Sequence, residues 1–207
     1  MLPALPAQCS ALHCRPVEAQ RVSGAATAPA RGETAPAGAG LADVIVADTL
    51  DRLSERIDIH FHKGEYNHAV NLCRIKTQGL PHDVEAFSNA AYLLWSMAQD
   101  DDAEALLKAG LEKNSNSYYM YDELGSFYSV HLKRYAEAIP YYEKAVGFKC
   151  PFSTWHLLAN CYEKTNQWDK ALHAWQSAAK YPDDRLAPVR VRRAEAHLRG
   201  MTRPGAR

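Results

Sequence analysis

The chain has 207 residues, a length that fits one domain with terminal extensions. Hydrophobic residues make up 47% of it, which is enough to build a core, and no run approaches the ~18 consecutive apolar residues of a membrane helix. The 24 basic residues equal the 24 acidic ones, so the whole molecule has no net field that would attract nucleic acid. These values predict a soluble protein whose partner is neither nucleic acid nor a membrane.

Residues 1–40 differ in composition from the rest of the chain. Half of them are Ala, Pro or Gly, and every aromatic residue lies later, between Phe61 and Tyr181. A segment this poor in large apolar groups cannot offset the entropy cost of ordering, so we predict disorder over 1–40. Its start lacks the basic n-region and continuous apolar core of a secretory signal. Three interpretations stay open: a targeting segment, a linker, or a start codon assigned too far upstream.

The five cysteines are scattered and include no Cys-x-x-Cys pair. This pattern argues against a zinc ribbon, a thioredoxin-type site and a disulfide scaffold. It favours a reducing compartment, so we expect the cytoplasm unless the first 40 residues direct the chain elsewhere.

A period of 34 residues organises the middle of the chain. Large residues recur at this spacing: Leu53, Phe87, Tyr121 and Trp155. Two further slots follow four and seven residues later: Ile57, Ala91, Gly125 and Ala159, then His60, Leu94, Tyr128 and Tyr162. A second set recurs with one residue of slack: Ala69, Ala103, Ala138 and Ala171, then Cys73, Leu107, Tyr142 and Trp175.

These spacings predict paired helices. Steps of four and three place the first set on one face of a helix, and the second set lies on another helix after a short polar turn. Small residues in the alanine slot allow the two helices to approach closely, and each pair needs its neighbours to bury its apolar face. The sequence therefore predicts an all-α solenoid of about four helix–turn–helix repeats, at roughly 50–83, 84–117, 118–151 and 152–184.

The third and fourth copies follow a known pattern most closely: YDELGSFYSVHLKRYAEAIPYYEKAVGFKCP and WHLLANCYEKTNQWDKALHAWQSAAKYP. This pattern resembles that of the tetratricopeptide repeat family, which places a large residue, Leu-Gly, Tyr, Ala, an aromatic residue, Ala and Pro in order over 34 residues. The resemblance covers about two-thirds of the chain and implies a right-handed α-solenoid. The third copy has one extra residue, which we place in its turn. It also has Pro140 in its second helix, where we expect a slight bend.

Two flanking segments extend this architecture. LADVIVADTLDRLSERIDIHFHK is predicted to form one long first helix. Residues 185–200 are predicted to form a basic capping helix with Val191, Ala194 and Leu198 on one face, and 201–207 a disordered tail. A basic recognition helix is the alternative. The net charge is −7 over 41–184 and +6 after it, and the acidic body would repel phosphate, so we expect no nucleic-acid partner.

Motifs for catalysis are missing from the sequence. It has no Gly-rich phosphate loop, no Gly-x-Ser-x-Gly and no His-Glu-x-x-His, so we predict neither an enzyme nor a cofactor. His60 and His62, the centre of a group with Asp58 and His68, point ~200° apart on a helix and cannot share a metal ion. Asp100–Asp102 are predicted to cap the helix that follows and to favour its dipole.

In the tetratricopeptide repeat family, the first helix of each pair lines a concave groove. Carrying that pattern over gives these peptide-groove candidates: Glu85, Ser88, Tyr92, Trp95, Tyr119, Asp122, Ser126, His156 and Asn160. Aromatic side chains among small polar groups suit an extended peptide or a partner helix. The aromatic residues in repeat slots are instead predicted to be core: Tyr121, Tyr128, Tyr142, Trp155, Trp168 and Trp175.

Some family members hold the acidic C-terminal tail of a chaperone through a clamp of Lys, Asn and Arg. The matching slots here are Ser54, Asp58, Asn89, Tyr119 and Glu123, and only Asn89 agrees. A carboxylate would meet acidic groups rather than cations, so we predict a neutral or basic protein segment as the partner. The sequence thus predicts a non-catalytic adaptor. The alternative is a structural subunit docked through its terminal helices, and self-association is open.

Overall fold

The structure is a computed structural model that describes residues 40–201. Over this range the backbone forms nine α-helices and no strand. They are α1 (Leu41–His62), α2 (Tyr66–Gly79), α3 (Val84–Ser96), α4 (Asp100–Lys113), α5 (Tyr118–Ser126), α6 (Tyr135–Ala145), α7 (Phe152–Lys164), α8 (Trp168–Ala178) and α9 (Ala187–Met201). Nearly all of the predicted disordered segments, 1–40 and 201–207, lie outside the described residues.

The helices pack in sequence order. Each pair, α1/α2, α3/α4, α5/α6 and α7/α8, is joined by a short turn and is therefore antiparallel. Successive pairs meet through α2–α3, α4–α5 and α6–α7, and α9 packs against α8. The predicted all-α solenoid of helix–turn–helix repeats is confirmed.

All four turns inside the pairs share one backbone feature. Each contains one residue with a positive φ: Gly64 (74°), Ala98 (59°), Lys133 (59°) and Asn166 (60°). The second helix begins two residues later in every pair. Only one of the four is glycine, although left-handed backbone is costly for a residue such as Ala98.

The extra residue of the third repeat lies in a helix, not in the turn where it was predicted. Residues Phe127–His131 continue α5 as a π-helical turn, and the Leu132 amide donates to the Phe127 carbonyl five residues back. We call this segment the π turn. Because the turn that follows matches those of the other repeats, the π turn absorbs the whole insertion.

The alanine slots explain the close pairing of helices. Ala69, Ala103, Ala138 and Ala171 are all 0% exposed. At Gly125 an added Cβ would lie only 2.6 Å from the Tyr142 ring, so glycine lets α5 approach α6. Large residues of the second helices, including Tyr142 and Trp175, fill the space between pairs and are also fully buried.

Half of the aromatic residues predicted as core are less buried than expected. Tyr128, Tyr142 and Trp175 are buried, but Tyr121, Trp155 and Trp168 are only half-buried. Tyr121 stacks on the half-exposed Phe148 at 5.9 Å between ring centroids. Trp155 lines a surface cavity of about 420 Å³ with Tyr181 and others. A repeat slot fixes which way a side chain points, whereas burial depends on the loops beside it.

The acidic start of α4 also differs from expectation. Asp100, Asp101 and Asp102 form its first turn, and the N-cap position belongs to Gln99, which makes no side-chain capping bond. The predicted capping by aspartate is therefore wrong. The three carboxylates still lie where the helix dipole favours negative charge.

Candidate protein-interaction groove

The first helices of the second and third pairs lie against each other. Helices α3 and α5 are in contact. Ser88 Oγ on α3 donates a hydrogen bond to Glu123 Oε2 on α5 at 2.5 Å. This bond joins the two helices on the side predicted to line the groove.

The nine predicted groove residues are all accessible to some degree. Glu85 and Tyr92 are exposed, and the other seven are half-buried. The core-facing residues of α3 contrast with them, since Phe87, Ala91 and Leu94 are buried. The structure thus separates a core face from a partly open face on the same helix.

An aromatic cluster occupies one end of this open face. The Trp95 and His131 ring centroids lie 4.1 Å apart, and Tyr92 lies 5.7 Å from Trp95 and 6.2 Å from His131. We call Tyr92, Trp95 and His131 the aromatic platform. Tyr92 is 50% exposed, and His131 also packs on the buried Phe127 at 6.2 Å. The platform is therefore anchored on its inner side and open on its outer side.

His131 was not among the predicted groove residues. It is the last residue of the π turn and falls in no repeat slot. The signal that could have found it is the extra residue in the third copy, because an insertion within a helix turns the following side chains into new positions. Burial lowers the pKa of His131, and nearby Lys133 adds to this, while Asp100 acts in the opposite direction. The ring is therefore neutral at pH 7.

Acidic side chains lie deeper along the same face. Burial raises the pKa of Asp122 to about 6, and the charge on Glu123 contributes to the rise. Its Oδ1 atom is buried without a hydrogen-bond partner, and so is the nearby Thr154 hydroxyl oxygen. The nearby Thr154 hydroxyl lowers the pKa of Asp122 and so offsets part of this rise, although the two side chains do not reach hydrogen-bond geometry. Burial likewise raises the pKa of Glu123, against the effect of its hydrogen bond from Ser88.

Two further predicted groove residues, besides Ser88, are engaged in internal contacts. Ser126 Oγ lies 3.2 Å from the hydroxyl of the buried Tyr142. His156 Nε2 lies 2.6 Å from Asp184 Oδ2, and its ring packs on Trp175 at 4.9 Å. These two side chains hold the fold together at the edge of the candidate groove.

The face of the first helices that would form the groove wall is acidic. Helices α3 and α5 and the π turn together carry Glu85, Asp122 and Glu123, and their sequences contain no Lys or Arg. Among the described residues, no set of three His, Cys, Asp or Glu side chains could hold a metal ion. His60 instead pairs with Glu65, and His62 with Asp58. None of the described helices combines the length and apolar character of a membrane span.

The helix pairs, their shared turns and their linear stacking define an α-solenoid repeat protein. Two models of the tetratricopeptide repeat match the chain, at residues 118–149 and 154–174. Both matched segments are tetratricopeptide repeats, as their sequence pattern indicated.

Solved structures share this fold at low sequence identity. The "MamA RS-1 ArsTM double mutant" is 16% identical, with a TM-score of 0.58 over 73% of this chain and 86% of that one. The structure of Naa15/Naa10 bound to HypK-THB is 20% identical, with a TM-score of 0.57 over 73% of this chain and 23% of that one. YrrB, described as a TPR protein with an unusual peptide-binding site, is 15% identical, with a TM-score of 0.53 over 70% of this chain and 76% of that one. The comparison with curated proteins gave no match.

These findings establish the general role of the fold. Tetratricopeptide repeats form scaffolds for protein–protein interaction and are typically non-catalytic. The chain is accordingly a protein-interaction module built from helical repeats.

Proposed function

We propose that the chain is a non-catalytic adaptor that binds a peptide or helical segment of another protein in the groove lined by its first helices. The aromatic platform is the observation that carries this proposal. Large aromatic side chains that are held in place but partly exposed are the residues that contribute most to protein binding. Tyr92, at 50% exposure, and Trp95 meet that description.

The charge of the wall sets the kind of segment. Glu85, Asp122 and Glu123 are its charged residues, and Asp122 and Glu123 already lie in surroundings that disfavour negative charge. An acidic peptide would add further like charge and lose its hydration without gaining a cation. The segment is therefore neutral or basic, and attraction to the acidic wall speeds its approach.

Two structural neighbours support a protein partner. YrrB has a peptide-binding site, and Naa15/Naa10 is a complex with HypK, according to their descriptions. Both share the fold of this chain at 20% identity or less, so they support the class of partner and not its identity.

Selection from a displayed random peptide library tests the proposal directly. The full chain serves as the target, and the double variant Tyr92→Ala/Trp95→Ala serves as the groove variant. Tyr66→Ala/Phe148→Ala is the matched control, because both residues are exposed aromatics outside the groove. Selected peptides should lose about tenfold or more in affinity for the groove variant and none for the control. Peptides that bind both variants as tightly as the wild type would contradict groove binding.

The second candidate function is that of a structural subunit docked through α1. A Cβ on Gly79 would lie 3.4 Å from Leu50, so α2 ends beside Leu50 and the start of α1 projects past it. Leu41, Ile45 and Val46 in this projection are more than half exposed. Such an apolar segment suits a protein contact.

Solution mass distinguishes this second role. Light scattering over a range of concentrations should then give masses above the 23.1 kDa of one chain, and Ile45→Glu should return the mass to that value. A mass of one chain throughout would contradict docking between copies through α1.

A further inference from the structure

We propose that the aromatic platform binds a cationic side chain, arginine or lysine, of the partner segment. This proposal rests on the proposed groove function and assigns it a specific subsite. Aromatic ring faces attract cations through their quadrupole, and Trp is the best of the natural rings for this. Arginine suits the platform particularly well, because its planar guanidinium stacks on aromatic faces and is weakly hydrated.

The geometry of the platform fits this role. Trp95, Tyr92 and His131 contact one another, with planes tilted by 46° to 62°, so their faces point in different directions. Contact with Phe127 and the rest of the core holds His131 from behind. Tyr92 stays half exposed, which leaves aromatic surface for a side chain that approaches from solvent.

Charges of both signs lie beside the platform. Lys133 in the turn and Asp100 at the start of α4 act on His131, and Lys133 acts the more strongly. The exposed Asp101 and Asp102 follow Asp100 in the first turn of α4 and add negative charge on that side. The ring of His131 is neutral at pH 7 and therefore does not repel an approaching cation.

The π turn is an independent indication that the platform is a built site. π turns are rare and occur frequently at functional sites. The other first helices described reach their turns without one. This single insertion brings the His131 ring onto Trp95.

The chain contains a natural control for the effect of charge. Trp168 and His197 also form a Trp–His pair, with ring centroids 3.8 Å apart. His197 belongs to α9, which carries four Arg and one Glu. The two pairs have the same ring types, but only the Trp168 pair lies against a helix rich in arginine, so a cation should distinguish them.

The experiment uses two small probes and the full chain. N-acetylarginine amide is titrated against chain labelled at its tryptophan indoles, at pH 7 and low salt, and the indole resonances are followed by NMR. N-acetylcitrulline amide is the neutral probe of nearly the same shape. The Trp95→Leu variant assigns the Trp95 resonance.

The Trp95 resonance should shift saturably with the arginine probe. The citrulline probe should bind with an affinity at least about threefold weaker, and the Trp168 resonance should show no saturable shift with either probe. Asp100→Asn should weaken arginine binding about twofold and Lys133→Ala should strengthen it by about the same factor, since both charges are screened by solvent. Equal binding of the two probes, a preference for Trp168, or no shift at Trp95 would overturn the proposal.

These outcomes separate the subsite from the groove. Peptides selected without any Arg or Lys that still depend on Tyr92 and Trp95 would leave groove binding in place and contradict the cation subsite. A Trp95 shift specific for arginine, combined with a selection that yields no groove-dependent peptide, would instead contradict the groove function alone.

Discussion

Trp175 and Trp95 are the same type of residue in two different environments. Trp175 is fully buried and donates its indole N–H to Glu163 at 2.7 Å. Trp95 packs against the core with one side only and lies on the open face of α3. Burial therefore separates the aromatic residues that hold the fold from those that a partner can reach.

The cost of truncation should follow this difference. Trp175→Ala empties a closed site and should lower the free energy of unfolding by about 3–5 kcal/mol. Trp95→Ala should lower it by less, about 1–2 kcal/mol, because the ring is only half-buried and contacts the core from one side. Urea unfolding of both variants measures this. Equal losses would mean that the open face of α3 is misassigned.

Asp122 should make the stability depend on pH. Its pKa is about 6 in the folded chain against 3.8 for an ordinary Asp, because burial disfavours the charged form. As pH falls from 7 to 4, the folded state takes up a proton before the unfolded state does, so this residue makes the chain more stable at lower pH. At pH 7 its charge is destabilising.

Asp122→Asn removes that charge while keeping the shape. The variant should be more stable than the wild type at pH 7 by about 1–2 kcal/mol, and the difference should shrink toward pH 4. Urea unfolding at several pH values measures it. Asp101→Asn, at an exposed position of α4, is the control and should change little. A variant less stable than the wild type at pH 7 would show that the carboxylate is needed in its ionised form.

Sequence reasoning worked for residues whose environment the repeat defines. The small and large slots of the second helices are buried as predicted, from Ala69 to Trp175. Tyr92 and Trp95 stood out because they fall outside every slot. His131 did not stand out, because it falls in no position of the repeat. Trp155 was predicted to be core, but it is only half-buried and lines a surface cavity.

At the scale of elements, the π turn is the feature that periodicity could not locate. The step of 35 residues between Ala103 and Ala138 shows that one residue is added, but it does not show where. A turn and a helix can both absorb it. The constant two-residue distance from the left-handed residue to the next helix decides in favour of the helix.

Deleting Val130 should restore a regular third repeat. Val130 is 45% exposed, so little packing is lost, and α5 can then run as an α-helix up to its turn. Each residue in a helix turns the chain by ~100°, so the histidine should leave Trp95. The helix content measured by circular dichroism should persist, while the Trp95 indole resonance moves and arginine binding falls.

Val130→Ala is the matched control for the deletion, since it changes the same residue without changing the length of the helix. It should leave the Trp95 resonance and arginine binding unchanged. A deletion variant that behaves like Val130→Ala would contradict the role of the π turn in placing His131.

For the molecule as a whole, the C-terminal end is closed by α9. Asp184 Oδ1 accepts hydrogen bonds from the Leu186 and Ala187 amides at 2.9 and 3.0 Å, which caps this helix, and its Oδ2 meets His156. Arg190 lies 5.5 Å over the Trp175 ring. The basic segment therefore serves at least in part to cover the last repeat.

Asp184→Ala should weaken this closure. The change removes the cap of α9 and the partner of His156, and should lower the free energy of unfolding by about 1–3 kcal/mol. Hydrogen exchange should rise in α9 first. Asp183→Ala is the control, because Asp183 is exposed and adjacent. Similar losses in both variants would show that the effect comes from net charge and not from the cap.

The number of helices and their pairing could be predicted because each repeat must bury its apolar face on its neighbours. The chemistry of the partner is less accessible to sequence, because the open face is set by side chains outside the repeat slots. The proposal of a neutral or basic partner rests on charge, because the sequence places acids and no Lys or Arg on α3 and α5.

The affinity of a charge-reversed peptide pair tests the central claim most directly. A fluorescent peptide selected against the wild-type chain is compared with a version in which its basic residues are changed to Glu. At low salt the original peptide should bind wild type at least about tenfold more tightly than its reversed version, and added salt should narrow the gap. Trp95→Ala should weaken the original. Tighter binding of the acidic version, or a Trp95→Ala variant that binds the original as well as wild type does, would contradict an acidic, aromatic groove that receives neutral or basic segments.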